Sequence, residues 1–314
     1  MNKRDLGQTG LSIAPLVLGG NVFGWTIDEK TSFAVLDAFV EHGFNAIDTA
    51  DAYSTWVPGH KGGESETIIG KWLKARPGAR DKVVIFTKVG SDLGAHKKGL
   101  SERWIMQAAE DSLRRLQVEQ IDLYFSHWPD SETPYEETLG AYAKLLRSGK
   151  IKSIGASNLN AEQLGAALKI AANTGLPSYQ VLQPEYNLYD RASFDGSLRD
   201  LCVAEGLGVV TYFSLASGFL TGKYRSKADL IKSQRGEDIK KYLTERGMKI
   251  LQALDEIASR HSAKPAEVAL AWLIAREGVT APIASATSVA HVESFAKAAD
   301  LALSDEEIDK LNKV

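Results

Sequence analysis

The stretch NAIDTADAY, residues 45–53, begins as an apolar run fit for burial and ends in a turn carrying Asp48, Asp51 and Tyr53. Seven other short β-rich runs bounded by turn residues share its form: PLVLGG from 15, VVIFTK from 83, IDLYFS from 121, IKSIGAS from 151, YQVLQPE from 179, GVVTYF from 208 and TAPIAS from 280. Most are continuously apolar, as expected of parallel strands covered on both faces. Segments of helical period lie between them. FAVLDAFVEHG has Phe33, Leu36, Phe39 and Val40 on one face and stops at Gly43, and TPYEETLGAYAKLLRSG offers Thr133, Pro134 and Glu136 as a capped start. NAEQLGAALKIAANTG and KPAEVALAWLIAREG follow the same grammar. The first seven strand starts are 28 to 38 residues apart, close to the ~30 residues of one βαβ unit.

Eight such units predict an α/β fold, a closed (β/α)8 TIM barrel forming one domain over residues 1–314. KRDLGQTGLSIAP predicts a β-hairpin ahead of the barrel. The last interval, 72 residues, contains RSKADLIKSQRGEDIKKY and predicts a long polar loop or flap after the seventh strand. A doubly wound sheet uses the same alternation but usually brings G-x-G-x-x-G after an early strand, and GGNVFG has the wrong spacing. Gly70 and Lys71 do not form a P-loop, because Trp72 stands where Ser or Thr should follow.

Composition narrows the function classes. The 314 residues are 44% apolar and 25% charged, with a net charge of −3 and no basic block suited to nucleic acid. Cys202, the single cysteine, excludes an internal disulfide framework and a cysteine zinc site, and its place in RDLCVAEG reads as core. Nowhere do 18 apolar residues run together, and the N-terminus has no apolar signal region, so the expectation is a cytoplasmic protein without a membrane partner; a homo-oligomer is left open. His42, His60, His96 and His261 lack metal-ligand spacing and read as solvated, so no metal is expected.

In a closed parallel barrel chemistry sits at the carboxyl ends of the strands. Three runs end in polar groups: Asp48 with Tyr53 just beyond, Lys88, and His127. Each residue alone reads as a turn former, a snorkelling lysine or a packed ring. Together they make an acid catalyst in which Lys88 lowers the pKa of the Tyr53 phenol, Asp48 holds Lys88 charged, and neutral His127 donates an N–H to the substrate oxygen. Trp25, Trp56 and Trp128, just past strand ends, are candidates for the lining of a substrate pocket.

AIDTADAY, FTKVG, AAEDSLRRLQVEQIDLYFSHWPD, IGASNL, LQPEYNL and FLTGKY, in this order, closely resemble the aldo-keto reductase superfamily. GESETIIGKWL and SHWPD look most like its bacterial branch related to potassium-channel β-subunits. The resemblance implies NAD(P)H-dependent, reversible reduction of an aldehyde or ketone, with the tetrad carried onto Asp48, Tyr53, Lys88 and His127. It also implies a cofactor site. Ser157, Asn158 and Gln183 resemble the residues that hold the carboxamide, Tyr212 the aromatic that stacks on the nicotinamide, and Gly20 joins Asp48 at its edge. Ser214, Leu215, Gly218 and Lys223 should follow the pyrophosphate. At the adenosine end, Ser285, Thr287, Ser288 and His291 stand where many relatives carry basic residues, and Phe295 replaces a usual asparagine. The coenzyme leans toward NADPH, but a 2′-phosphate held without an arginine fork loses its strongest charge-assisted bonds, which leaves NADH open unless basic residues from Lys223 to Arg235 reach the site and compensate. Ser288 has a second reading as the cap of the following helix. Two rivals make different demands: a metal-dependent barrel hydrolase or isomerase, and a nucleotide-binding sensor or auxiliary subunit with negligible turnover.

Overall fold

The computed structural model describes residues 2–232 and 236–314, and every one of the apolar runs is a strand of one closed parallel barrel. A short antiparallel hairpin, β1 (Arg4–Asp5) and β2 (Ser12–Ile13), precedes it. The barrel strands are β3 (Val17–Gly19), β4 (Ala46–Asp48), β5 (Val84–Val89), β6 (Ile121–Ser126), β7 (Ile151–Ser157), β8 (Val181–Gln183), β9 (Gly208–Thr211) and β10 (Ala281–Ala284), with β10 closing on β3. The expected (β/α)8 barrel with its N-terminal hairpin is therefore the observed architecture.

The two faces of each strand do different work. Side chains alternate along a strand, and Ala46, Phe86, Phe125, Val181 and Val210 pack together in the lumen with Leu6 and Ile13 of the hairpin. Their neighbours Ile47, Ile85, Tyr124, Leu182 and Val209 belong to the layer beneath the helices. Two positions beyond Ala46, Phe86, Phe125, Val181 and Val210 stand Asp48, Lys88, His127, Gln183 and Tyr212. The same inward alternation that fills the barrel with hydrocarbon thus brings a polar layer to its carboxyl end.

The hairpin closes the opposite end. Leu6 and Ile13 are fully buried, and Asn45 holds the hairpin to the start of β4, accepting from Ala14 N–H at 2.8 Å and donating to the Ser12 carbonyl at 3.0 Å. Gly7 has φ +56°, and a Cβ there would lie 2.4 Å from the Gly208 nitrogen. Only glycine permits that approach.

Several helix ends differ from expectation. The helix Tyr135–Arg147 has Pro134 at its N-cap and no side-chain cap, because the Thr133 hydroxyl donates to Asp130 at 2.7 Å instead. The Ser288 side chain does not cap the helix Val289–Asp300 either; the neighbouring Thr287 N–H donates to His291 Nδ1 at 3.2 Å. Asn160 does form the full capping box of Ala161–Thr174. Between β9 and β10 the chain builds an additional helix, Glu245–Arg260, capped by Thr244.

In the polar stretch 225–242, expected as a loop or flap, the described end 236–242 is anchored by Ile239 and Tyr242, both buried; Tyr242 stacks on Phe219 at 5.4 Å and donates its hydroxyl to Asp190 at 2.7 Å. Residues 233–235, Arg235 among them, lie outside the described residues. His261 is exposed, in keeping with the solvated reading, and its Nε2 meets Glu307 Oε2 at 2.9 Å, tying the end of Glu245–Arg260 to the helix Asp305–Asn312. Cys202 is buried as expected, and burial pushes its thiol up to about 12.

If the hairpin is part of the core, Leu6→Ala removes a fully buried side chain and costs about 2–5 kcal/mol in urea unfolding with an unchanged m-value. A loss under about 0.5 kcal/mol would show that the hairpin merely rests on the barrel.

Candidate active site

The lumen ends in a buried ion pair. Lys88 Nζ lies 2.8 Å from Asp48 Oδ2, 2.8 Å from the Thr49 carbonyl and 2.8 Å from Tyr53 Oη, so all three ammonium hydrogens have acceptors. Tyr53 in turn donates to Asp48 Oδ2 at 3.0 Å. Asp48 Oδ1 accepts from Gln183 Nε2 at 2.9 Å. Lys88 is completely buried and Asp48 nearly so, and the ammonium sits 4.6 Å from the centre of the Tyr53 ring. The turn after β4 carries Tyr53 back over the pair, its backbone N–H donating to the Ala50 carbonyl. His127 follows β6, 6.1 Å from Tyr53 between ring centres, with Nδ1 3.0 Å from Ser91 Oγ. Asp48, Tyr53, Lys88 and His127 therefore meet at one place.

The electrostatics of Tyr53 run opposite to the sequence expectation. Burial pushes its phenol well above the ordinary value, and the Asp48 carboxylate adds to the rise. Burial also lowers Lys88, against the pull of Asp48. The ammonium is close enough to stabilise a phenolate, but desolvation and the adjacent carboxylate outweigh it. His127 is held well below its usual value by burial first and by the Lys88 charge second, so it is neutral near pH ~7.

Around this centre the remaining polar candidates form one hydrogen-bonded ledge. Ser157 Oγ donates to the Gln183 carbonyl at 2.8 Å, Asn158 Nδ2 to the His127 carbonyl at 2.9 Å, and Tyr212 Oη to Asn158 Oδ1 at 2.7 Å. Gly20 lies where a Cβ would be 2.9 Å from Ser65 Oγ and 3.0 Å from the Asp48 carbonyl. Its glycine requirement is met by packing alone. After β9 the backbone is left-handed at Phe213, Ala216, Ser217 and Gly218, with φ of +54°, +49°, +56° and +102°. Three of these are non-glycine residues, and strain of this kind gathers at ligand-binding turns. Within the segment, Ser214 is buried and donates to the Thr211 carbonyl at 3.1 Å, while Leu215 packs against the core.

At the far end, Ser285 Oγ donates to Asn21 Oδ1 at 2.5 Å, and Thr287 pairs with His291. Burial lowers His291, and the charges of Lys223 and Lys264 lower it further. Two lysines from separate segments thus act on one histidine. Lys264 was not singled out by sequence, because it reads as the residue before Pro265 and nothing local connects it with positions 223 or 291. The tryptophans form a rim: Trp25 meets Trp56 edge-on at 5.3 Å, Trp56 lies 6.1 Å from Tyr53, and Trp128 stacks on His127 at 5.7 Å.

A profile of the aldo/keto reductase family matches residues 15–314. The chain belongs to the aldo/keto reductase family. It is 35% identical to the uncharacterized oxidoreductase YrpG of Bacillus subtilis over 98% of this chain and 94% of that protein. A probable voltage-gated potassium channel subunit beta of Arabidopsis thaliana is 31% identical over 100% and 96% of the two chains. An L-glyceraldehyde 3-phosphate reductase of Escherichia coli O157:H7 is 30% identical over 100% and 92%. Aldo/keto reductases generally use nicotinamide cofactors and act on small-molecule carbonyl compounds; the family and its oxidoreductase-named members support a carbonyl-reductase kind of function here. Among the described residues no helix is long and apolar enough to cross a membrane, and no group of three or more His, Cys, Asp or Glu is arranged to hold a metal ion.

In this aldo/keto reductase the depressed His127 gives a stability signature. A histidine whose folded value lies below its unfolded value contributes stability above the unfolded value of ~6.5 and loses it as pH falls toward the folded one. Thermal midpoints of the wild type should therefore fall more steeply below pH ~6.5 than those of His127→Gln. Parallel curves would show that His127 is not held neutral by its surroundings.

Proposed function

We propose that the protein is an NAD(P)H-dependent reductase of aldehydes or ketones, working reversibly, with Tyr53 as the general acid. The observation that carries this reading is the placement of Tyr53 Oη 2.8 Å from Lys88 Nζ and 3.0 Å from Asp48 Oδ2 at the end of the lumen. The cofactor would supply the hydride. The donor set suits it: amides of Asn158 and Gln183 and the hydroxyl of Ser157 match a carboxamide, and the half-buried Tyr212 offers a ring face beside them. Gly20 borders this end. Ser214, Leu215, Gly218 and Lys223 would follow the pyrophosphate along the left-handed turn, and Ser285, Thr287, Ser288 and His291 would flank the adenosine.

The high pKa of Tyr53 has a chemical use. A buried phenol that resists ionisation keeps its proton until a stronger base forms beside it, and an alkoxide developing on the substrate is such a base. As the proton leaves, Lys88 is already within hydrogen-bond distance of the phenolate oxygen and needs no reorganisation. Asp48 keeps the ammonium in place. In this reading Ser91 Oγ, 3.0 Å from His127 Nδ1, is assigned as the donor, which puts the imidazole proton on Nε2, where it can donate to the substrate oxygen. Trp25, Trp56 and Trp128 would shield the reacting carbonyl from water.

NADPH is the preferred coenzyme in this reading, because the positive field that Lys264 and Lys223 exert at His291, one of the residues taken to flank the adenosine, would favour an added phosphate there. Likeness to a channel β subunit keeps open a sensor that binds the cofactor and turns over negligibly, and one experiment separates the two. A panel of sugar, aliphatic and aromatic aldehydes and ketones is run with NADPH and NADH separately, following loss of reduced-cofactor absorbance. The expected outcome is turnover with a lower KM for NADPH, and a loss of about 10²–10⁴-fold in kcat for Tyr53→Phe at unchanged cofactor affinity. Cofactor binding without turnover across the panel would favour the sensor, and near wild-type turnover by Tyr53→Phe would refute the acid assignment.

A further inference from the structure

Behind the catalytic pair lies a second carboxyl group that the mechanism above does not use. Asp51 is 1% exposed, and neither carboxylate oxygen makes a well-formed hydrogen bond, although the neighbouring Ala52 backbone N–H lies close enough to act on the carboxylate. Its backbone N–H donates to the Lys88 carbonyl at 3.3 Å, so it is fixed directly against β5. The groups that face it come from each element packed there: Lys88 of β5, Glu66 of the helix Glu64–Ala75, Arg115 of the helix Glu102–Leu116, Tyr124 of β6, and Tyr142 of the helix Tyr135–Arg147.

Both nearby cations are committed elsewhere. Lys88 gives its three hydrogens to Asp48, Thr49 and Tyr53. Arg115 donates from Nε to Glu66 Oε2 at 2.6 Å and from a terminal nitrogen to Ser112 at 3.2 Å. Glu66 is satisfied by that bond and by the Thr87 hydroxyl at 2.6 Å. Charges in this compartment therefore pair off as Lys88 with Asp48 and Arg115 with Glu66, leaving Asp51 over. A buried carboxylate with no cation of its own and only a weak backbone donor is strongly disfavoured in its ionised form and takes up a proton instead.

We propose that Asp51 is held as a neutral carboxylic acid in the folded enzyme, and that its lack of charge leaves the Lys88 ammonium wholly to Asp48 and Tyr53. Burial, reinforced by the Glu66 charge, pushes its pKa well above the ordinary carboxylate value. An anion at this position would compete with Asp48 for Lys88 and strengthen the hold on its proton. Asp51 is thus a positioning residue that acts through Lys88. This function rests on the reductase reading, whereas the protonation state does not.

The direct test is a carboxyl-carbon NMR titration of the intact protein labelled at aspartate. One aspartate resonance should stay at the protonated position at neutral pH and vanish in Asp51→Asn, with Asp51→Ser as the second assignment variant should Asn not fold. Asp51→Asn keeps the shape without an ionisable group, so the Lys88 side-chain ammonium resonance at neutral pH should coincide with that of the wild type. If every aspartate carboxyl is ionised at neutral pH, or the protonated one survives in the Asp51 variants, the neutral acid is overturned. A Lys88 resonance displaced in Asp51→Asn at neutral pH overturns the proposal as well, since it would mean that a negative charge at Asp51 had been acting on Lys88. Failure of all carbonyl turnover with the protonated resonance present would fault the reductase reading and leave the neutral acid standing.

Discussion

An ammonium and a carboxylate buried together at the end of a hydrocarbon-filled barrel set the terms for the rest of this structure. Removing two charges from water is costly, and the pair is tolerable only when every donor and acceptor finds a partner. Lys88 meets that condition through Asp48, the Thr49 carbonyl and Tyr53, and Asp48 through Lys88, Tyr53 and Gln183. Each of these partners sits at or just past a strand end. The turn after β4 is consequently part of the solution to the desolvation problem, and holding Tyr53 in place is what that turn does.

The same condition extends outward in layers. Gln183 can reach Asp48 because β8 stands at the right register, with Ser157 of β7 opposite it. Ser157 and Asn158 then continue the bonding to Gln183 and His127, and Tyr212 joins from the next strand. Groups well suited to a carboxamide and a nicotinamide ring are therefore held by the network that satisfies the ion pair. Left-handed non-glycine backbone gathers after β9, at Phe213, Ala216 and Ser217, and recurs within the site at Ser54, next to Tyr53, and at Asn158.

Much of this was legible in the sequence, for physical reasons that also mark the limits. Apolar runs of strand length at βαβ spacing give the barrel, and polar residues that end those runs give Asp48, Lys88 and His127, because the inward period of two continues past the hydrocarbon; Gln183 follows only from the family resemblance. Four things did not show. The direction of the Tyr53 shift depends on how completely the phenol is buried, which no spacing reveals. Lys264 reaches the neighbourhood of His291 only through the packing of helix ends distant in sequence. Asp51 looks like one more turn former in DTADAY, and only its lack of a well-formed hydrogen bond distinguishes it. In 225–242 the charge of the run hid two apolar anchors, Ile239 and Tyr242.

The central claim is that burial and Asp48 together outweigh Lys88 and keep the Tyr53 phenol protonated until substrate demands its proton. Ultraviolet difference titration of the cofactor-free protein, wild type minus Tyr53→Phe, reads that phenol alone. The account predicts no phenolate absorbance from Tyr53 until the pH has passed the ordinary phenol value of ~10. A phenolate signal rising near neutral pH would mean that the ammonium dominates, and would contradict it.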